Sequence, residues 1–231
     1  MLATADLECE VTVTLVQPGT LSTMMREGSR PEHQAAEQSG FMEALMGNRV
    51  NQTGYAQYLA MFRPIYAALE EVSEALLDDE IASVVIDSDL YRLPSIDKDL
   101  DFWSTWGIEV VDSPAVAAYV TRVHESAKWG GYFLAHHYTR YLGDLSGGQA
   151  IGRILGRSFG LEAGEGLAFY EFSGIPKPKI YKDAYRAKLD AIPLSAEDRE
   201  RVVAEVRSTF GLNQAIFEEL GENIDQYARI A

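Results

Sequence analysis

The sequence predicts a single all-α domain of roughly eight helices. Three observations carry that prediction. After Pro18–Gly19, apolar residues recur at three- and four-residue steps, the helical period. The one alternating stretch, VTVTLV at 11–16, has no second strand to pair with, and an isolated strand is not stable. No repeat or low-complexity linker divides the 231 residues, of which 47% are hydrophobic, enough to bury one sizeable core. Residues 1–20 are therefore an extension of uncertain structure, and residues 21–231 are the helical domain.

Each element has its own justification. Ser22 is placed to cap a first helix running through Met25 and His33. Pro31 within it implies a kink, or a late start near residue 30. GFMEALMGN is a short helix. The stretch 53–77 is a long amphipathic one, with Tyr55, Leu59, Phe62, Tyr66 and Leu69 on one face and Pro64 as a possible bend. After a loop around Pro94, Ser95 is the expected cap of the next helix. Ser113 followed by Pro114 is a strong start signal for another. Gly130 and Gly131 allow a break before HHYTRYLGDLSGGQA, which runs on into AIGRILGRSFG. Two more helices, at 178–192 and 195–224, complete the chain.

Composition narrows the function. The only cysteine is Cys9, so there is no internal disulfide, no cysteine zinc cluster and no haem-attachment motif; the expected compartment is the reducing cytoplasm. Cys9 also lies outside the core-like region, which makes a cysteine nucleophile a poor fit. The N-terminus does not read as a signal peptide, and no uninterrupted apolar run suits a membrane span, so no membrane anchor is expected. A net charge of −15 argues against nucleic acid as a partner. Against that background, Lys177, Lys179, Lys182, Arg186 and Lys188 face a single acid, Asp183, over residues 177–188. Such a patch suits an anionic ligand or partner, although solvated helix faces are often basic too.

The stretch from His136 to Ala150 is the most unusual. Gly143, Gly147 and Gly148 fall inside a helical pattern, each costing about 1 kcal/mol relative to alanine. Gly143, Asp144 and Gly147 share one face. A bare face lets a flat group approach the backbone, and it also suits close packing of two helices. The carboxylate weighs against the packing seam, because a dry interface must satisfy it. Arg140, one turn earlier, is positioned to pair with Asp144.

The four histidines, His33, His124, His136 and His137, form no ExxH or HExxH pattern. Single histidines fit a metal whose other ligands are not protein, and haem is the main such case. His33 is the best axial candidate, because Glu37 at i+4 is placed to orient the imidazole. His136, on the glycine stripe, is a candidate distal ligand; the doubled His136–His137 fits packing and surface equally well.

Taken together, these segments resemble the heme oxygenase family. YTRYLGDLSGGQ preceded by an alanine–histidine pair, EHQAAEQSGFMEALMGNRV, RPIYAALE, EGLAFYEF and GLNQAIFEEL match that family's segments in order, over about 21–222. The resemblance implies a multi-helix fold with haem b sandwiched between a proximal helix and a kinked, glycine-rich distal one. Haem is then both substrate and cofactor, degraded with dioxygen and reductant to biliverdin, carbon monoxide and ferrous iron. It implies that His33 ligates iron with Glu37 as partner, and that Gly143, Gly147 and Gly148 admit the haem face. It assigns Asp144 to hold a water near the dioxygen, with Tyr66, Thr139 and Arg140 in the polar network behind it. Arg26, Tyr138, Lys182 and Arg186 are the implied propionate partners, and carboxylates at a pocket mouth need such cations. The implied electron donor is a ferredoxin, a flavodoxin or a reductase, and a monomer is expected. Four departures stand out: the extension 1–20 without counterpart in the family core, Pro31 two residues before His33, arginine rather than lysine at 26, and His137 where relatives commonly have a small residue. The rival readings are a non-catalytic haem carrier or sensor, and an interaction module in which GDLSGG is a packing seam.

Overall fold

A computed structural model describes residues 19–108, 112–162 and 164–229. It contains eleven α-helices among those residues: α1 (Leu21–Gly28), α2 (Arg30–Glu37), α3 (Gly40–Met46), α4 (Gln52–Ala75), α5 (Leu93–Trp103), α6 (Pro114–Ser126), α7 (Gly130–His137), α8 (Gln149–Phe159), α9 (Pro178–Ala191), α10 (Ala196–Glu222) and α11 (Ile224–Tyr227). The strand-like residues 11–16 lie outside the described residues. Among those described, the only β-pairing is a single antiparallel bridge between Val50 and Ala228. No described helix is long and apolar enough to cross a membrane.

The count exceeds the expected eight for local reasons. The proximal region divides into α1, α2 and α3. The break between α1 and α2 falls at Ser29, and Pro31 occupies the first turn of α2, where its missing N–H costs nothing. The late start near residue 30 is what the chain adopts. Ser22 is not a cap: Thr20 precedes the first helical residue, and Ser22 is buried, its backbone N–H and hydroxyl both donating to the Asp190 carboxylate of α9 at 2.8 and 3.0 Å. Ser95 is not a cap either, because α5 begins at Leu93 with Pro94 in its first turn. Ser113 does cap α6, accepting the Val116 N–H at 3.0 Å. Asn51 caps α4 in the same way at 2.9 Å, and α4 runs unbroken through Pro64.

Helix α4 lies at the centre, packed against α5 and α6, while α10 packs against α2, α6 and α7. Its buried face carries Tyr55, Leu59, Phe62, Ile65, Tyr66 and Leu69, as the helical spacing requires. Residues 130–159 form one continuous helix, α7 through α8, containing two π-helical turns at Tyr138–Leu142 and Asp144–Gly148. A π turn adds a residue to the ring closed by each hydrogen bond and re-aims the side chains that follow, and it tends to occur at functional sites.

Candidate active site

The glycine-bearing helix and α2 face each other across a cleft. Two cavities of about 400 and 310 Å³ share His33, Thr139, Gly143, Ser146 and Phe210 in their walls and so form one elongated space. On the α2 side, His33 is half exposed, with Nδ1 3.4 Å from the Glu37 carboxylate. That leaves Nε2 as the nitrogen available to a ligand. Phe210 of α10 meets the imidazole edge-on at 5.1 Å and limits its swing.

On the opposite wall, a Cβ built at Gly143 or Gly147 meets nothing within 4 Å. The packing-seam reading requires another helix there, and none of the described helices occupies that place. Gly148 differs. A Cβ there would lie 3.0 Å from the Tyr170 ring, so its bareness mainly accommodates a protein side chain, although it also lines the smaller cavity. Gly152, one turn later, is hemmed in by the same ring.

Asp144 is buried at the edge of this bare face. Tyr66 of α4 donates its hydroxyl to Asp144 Oδ2. Arg140 donates to the Tyr66 oxygen from Nε and Nη2 at 3.1 and 2.7 Å, and from Nη2 to Asp144 Oδ1 at 3.3 Å. Its Nη1 donates to Asn213 Oδ1 of α10 at 2.8 Å, and the guanidinium lies over the Phe62 ring. Burial pushes the Asp144 carboxyl above the usual carboxylate range, opposed by Arg140 and by the Tyr66 hydrogen bond. The Tyr66 phenol is pushed up by burial, so its proton stays available to the carboxylate. Thr139 lines the cleft, but its hydroxyl donates to its own helix, to the Ala135 carbonyl at 2.8 Å, leaving only acceptor capacity for the cleft.

The cationic rim is partly assembled. Arg26, Tyr138 and Arg186 line the larger cavity, joined by Arg30, which the sequence reading missed. Both Arg26 and Arg186 lie near the Tyr138 phenol, whose pKa burial raises and those two charges lower. Lys182 is not in the cavity wall; its ammonium donates to Ser146 Oγ at 3.0 Å and so ties α9 to the distal helix beside the cleft.

The histidine pair turns away from the cleft. His136 is not placed as a distal ligand: it is wholly buried, with Nε2 2.9 Å from Glu205 and Nδ1 3.3 Å from Thr209. His137 neither faces outward nor supplies a donor to the cleft. It is buried with Nδ1 2.8 Å from the Tyr185 hydroxyl, and burial lowers its pKa to about 3. Asn213 and Phe210 were also missed. Asn213 meets Arg140 across 73 positions and Phe210 meets His33 from the far end of the chain, and no local spacing signals such pairings.

No group of three or more metal-binding side chains occurs among the described residues. A lone available imidazole facing a side-chain-free backbone therefore suits a metal held in a flat macrocycle rather than in a protein cage. The architecture is all-helical, with an open cleft between α2 and the glycine-bearing helix that a flat macrocycle would fit. The heme oxygenase family model matches residues 19–219. The chain is 36% identical to the heme oxygenase of Rhodella violacea over 90% of both chains, and 37% identical to heme oxygenase 1 of Synechocystis over 88% of this chain and 86% of that one. Among solved structures, Synechocystis heme oxygenase-1 in complex with heme superposes with a TM-score of 0.84 at 35% identity, covering 90% of this chain and 95% of that one. The Leptospira interrogans enzyme superposes at 0.80, covering 87% and 100%. This chain belongs to the heme oxygenase family.

Proposed function

We propose that the protein degrades haem, with dioxygen and reductant, to biliverdin, carbon monoxide and ferrous iron. The observation that carries this reading is the pair of open glycine faces, Gly143 and Gly147, set across the cleft from His33 with a buried carboxylate beside them. When bound, haem supplies both the iron that activates dioxygen and the carbon that is oxidised.

The chain's own residues do the rest. His33 would hold the iron through Nε2, with Glu37 orienting the ring and strengthening it as a donor. The bare backbone at Gly143 and Gly147 seats the macrocycle closely and leaves little room on the distal side. With haem bound, that close approach would confine the space beside Gly143 and Gly147 and so would bias which edge of the substrate is oxidised. Asp144 orients a distal water that delivers protons. Its own geometry is fixed by Tyr66 and Arg140, and Asn213 fixes Arg140 in turn. Arg26, Arg30, Arg186 and Tyr138 bind the propionates, with Lys182 reaching them once released from Ser146. Gly148 acts indirectly, by letting Tyr170 close the cleft.

Electrons come one at a time from a ferredoxin, a flavodoxin or a reductase whose acidic face suits the basic rim near 177–188. We place the reaction in the cytoplasm and the protein as a monomer, with residues 21–231 as its working domain. A haem carrier or sensor on the same fold has no use for the Asp144–Tyr66–Arg140–Asn213 chain. The test is direct: hemin, reductant and oxygen are supplied and the Soret band is followed as it gives way to bilin absorbance. Asp144→Ala should still bind hemin and lose biliverdin formation; parental biliverdin yield from that variant removes the role given to the carboxylate.

A further inference from the structure

Behind Asp144, the cleft is backed by phenols that the chemistry above does not use. Tyr58 and Tyr170 line the smaller cavity. Tyr55, fully buried, stacks on both, with ring centroids 6.1 Å from Tyr58 and 6.3 Å from Tyr170 and interplanar angles of 18° and 24°. The Trp103 indole meets Tyr55 edge-on at 5.7 Å, and Trp106 meets Trp103 at 5.2 Å. Trp106 is 41% exposed. A continuous line of oxidisable rings therefore runs from the cleft to solvent.

Packing alone does not call for this chemistry. Phenylalanine fills the same space without burying a hydroxyl, and three crowded buried phenols carry a desolvation cost. Burial raises the Tyr170 pKa, and Tyr55 and Tyr58 push it further, which reflects how closely the three oxygens gather. Phenol and indole, unlike benzene, give up and regain one electron reversibly, and electrons hop readily between rings in near contact.

We propose that Tyr58 and Tyr170, Tyr55, Trp103 and Trp106 form a charge-transfer chain that drains stray oxidising equivalents from the cleft to the surface. The proposal rests on the haem reading above. Hydrogen peroxide, a two-electron reduction product of the dioxygen consumed, would be reduced at bound haem with two electrons and two protons to two waters, leaving two oxidising equivalents in the cleft. Each passage along the chain supplies one of the two electrons needed to fill them. Tyr58 or Tyr170 gives an electron as its hydroxyl proton shifts to a neighbouring phenol oxygen, and it recovers that proton when Tyr55 refills it; Tyr55 is refilled in the same way by Trp103, and Trp103 by Trp106. Trp103 keeps its indole proton, which is donated to the Gly166 carbonyl at 2.7 Å. The net change is one electron delivered to the cleft and one lost from Trp106, whose N–H proton passes to water. A thiol or ascorbate then supplies one electron, and a proton from water restores the indole.

The experiment challenges the hemin-loaded protein with hydrogen peroxide and maps oxidation residue by residue by mass spectrometry, for the parent, Tyr55→Phe and Trp106→Phe. The parent should carry oxidation products on Trp106. Tyr55→Phe should lose most of them and bleach its haem faster, and Trp106→Phe should shift them to Trp103. Trp106 oxidation unchanged by Tyr55→Phe, or equally strong in hemin-free protein, overturns the proposal. With reductant and oxygen, all three proteins should form biliverdin at the parental rate. A parent that forms none overturns the haem reading instead.

Discussion

Replacing Gly143 with alanine separates a ligand-facing surface from a packing seam by the sign of two independent measurements. Gly143 has right-handed helical dihedrals, φ −60° and ψ −50°, so alanine needs no backbone change. Among the described residues, its added Cβ meets no atom within 4 Å beyond its own helix backbone and chain neighbours. The haem-free protein should therefore gain the ordinary helix-propensity difference, about 1 kcal/mol. For a chain of this length that raises the melting temperature by about 2–4 °C. Haem binding should move the opposite way, because the methyl group stands where the macrocycle must approach the backbone. Gly147→Ala should behave alike, whereas Gly148→Ala should lose stability, its Cβ pressing on the Tyr170 ring at 3.0 Å. Urea unfolding of the haem-free proteins and hemin titration give both numbers. Lower apo stability in Gly143→Ala, or unchanged hemin affinity in both Gly143→Ala and Gly147→Ala, would refute the reasoning.

His33→Ala should change the absorption spectrum of the hemin complex through loss of axial ligation, and an unchanged spectrum means another residue binds the iron. Lys182→Glu combined with Arg186→Glu should speed hemin release or redistribute the biliverdin isomers; parental release with a parental isomer pattern counts against propionate anchoring. His137 makes a prediction about acid stability. Its pKa is about 3 when folded and near 6.5 when unfolded, so the unfolded chain binds more protons and stability falls as pH drops through that window. At pH 5 this amounts to about 2 kcal/mol. His137→Phe should be less stable at pH 7, because the Tyr185 hydroxyl loses its partner, and the gap to the parent should narrow by about 2 kcal/mol at pH 5. A gap constant with pH, measured by urea unfolding, would show that His137 is not held neutral.

What the sequence made legible was whatever is encoded within one or two turns. Ser113 with Pro114, the face of α4, the late start near residue 30 and the bareness of Gly143 and Gly147 all follow from local spacing. So does the His33–Glu37 pair. The errors cluster where a polar side chain has a distant partner. Ser22 reads as a cap until Asp190 is known to lie beside it. His136 reads as a distal ligand until Glu205 and Thr209 claim both its nitrogens. His137 is claimed in the same way by Tyr185, whereas Lys182 and Gly148 stay beside the cleft while engaging Ser146 and Tyr170. The π turns were also hidden, because glycine composition signals a weak helix without specifying which hydrogen-bond register it takes.

The distal helix breaks several rules of local consistency within one short stretch, and the breaches have a common direction. Two glycines together forgo about 2 kcal/mol of helix propensity. A carboxylate is buried where desolvation opposes its charge. Two π turns replace the better α-helical geometry. Nothing in the core requires any of these, since alanine fits at both open positions and an apolar residue would bury more cheaply than Asp144. Each breach instead opens or polarises the same side of the helix, toward His33. The compensation is concentrated there too: Arg140 is tied at once to α4 through Tyr66 and to α10 through Asn213. Asp144 is therefore held by Tyr66 of α4 and by Arg140 of its own helix, which Asn213 of α10 fixes in turn, and it cannot relax away from the cleft without breaking the first two contacts. A protein under selection for stability alone has no reason to keep such a helix, whereas one that must seat a flat pigment and steer protons beside it has a use for every departure.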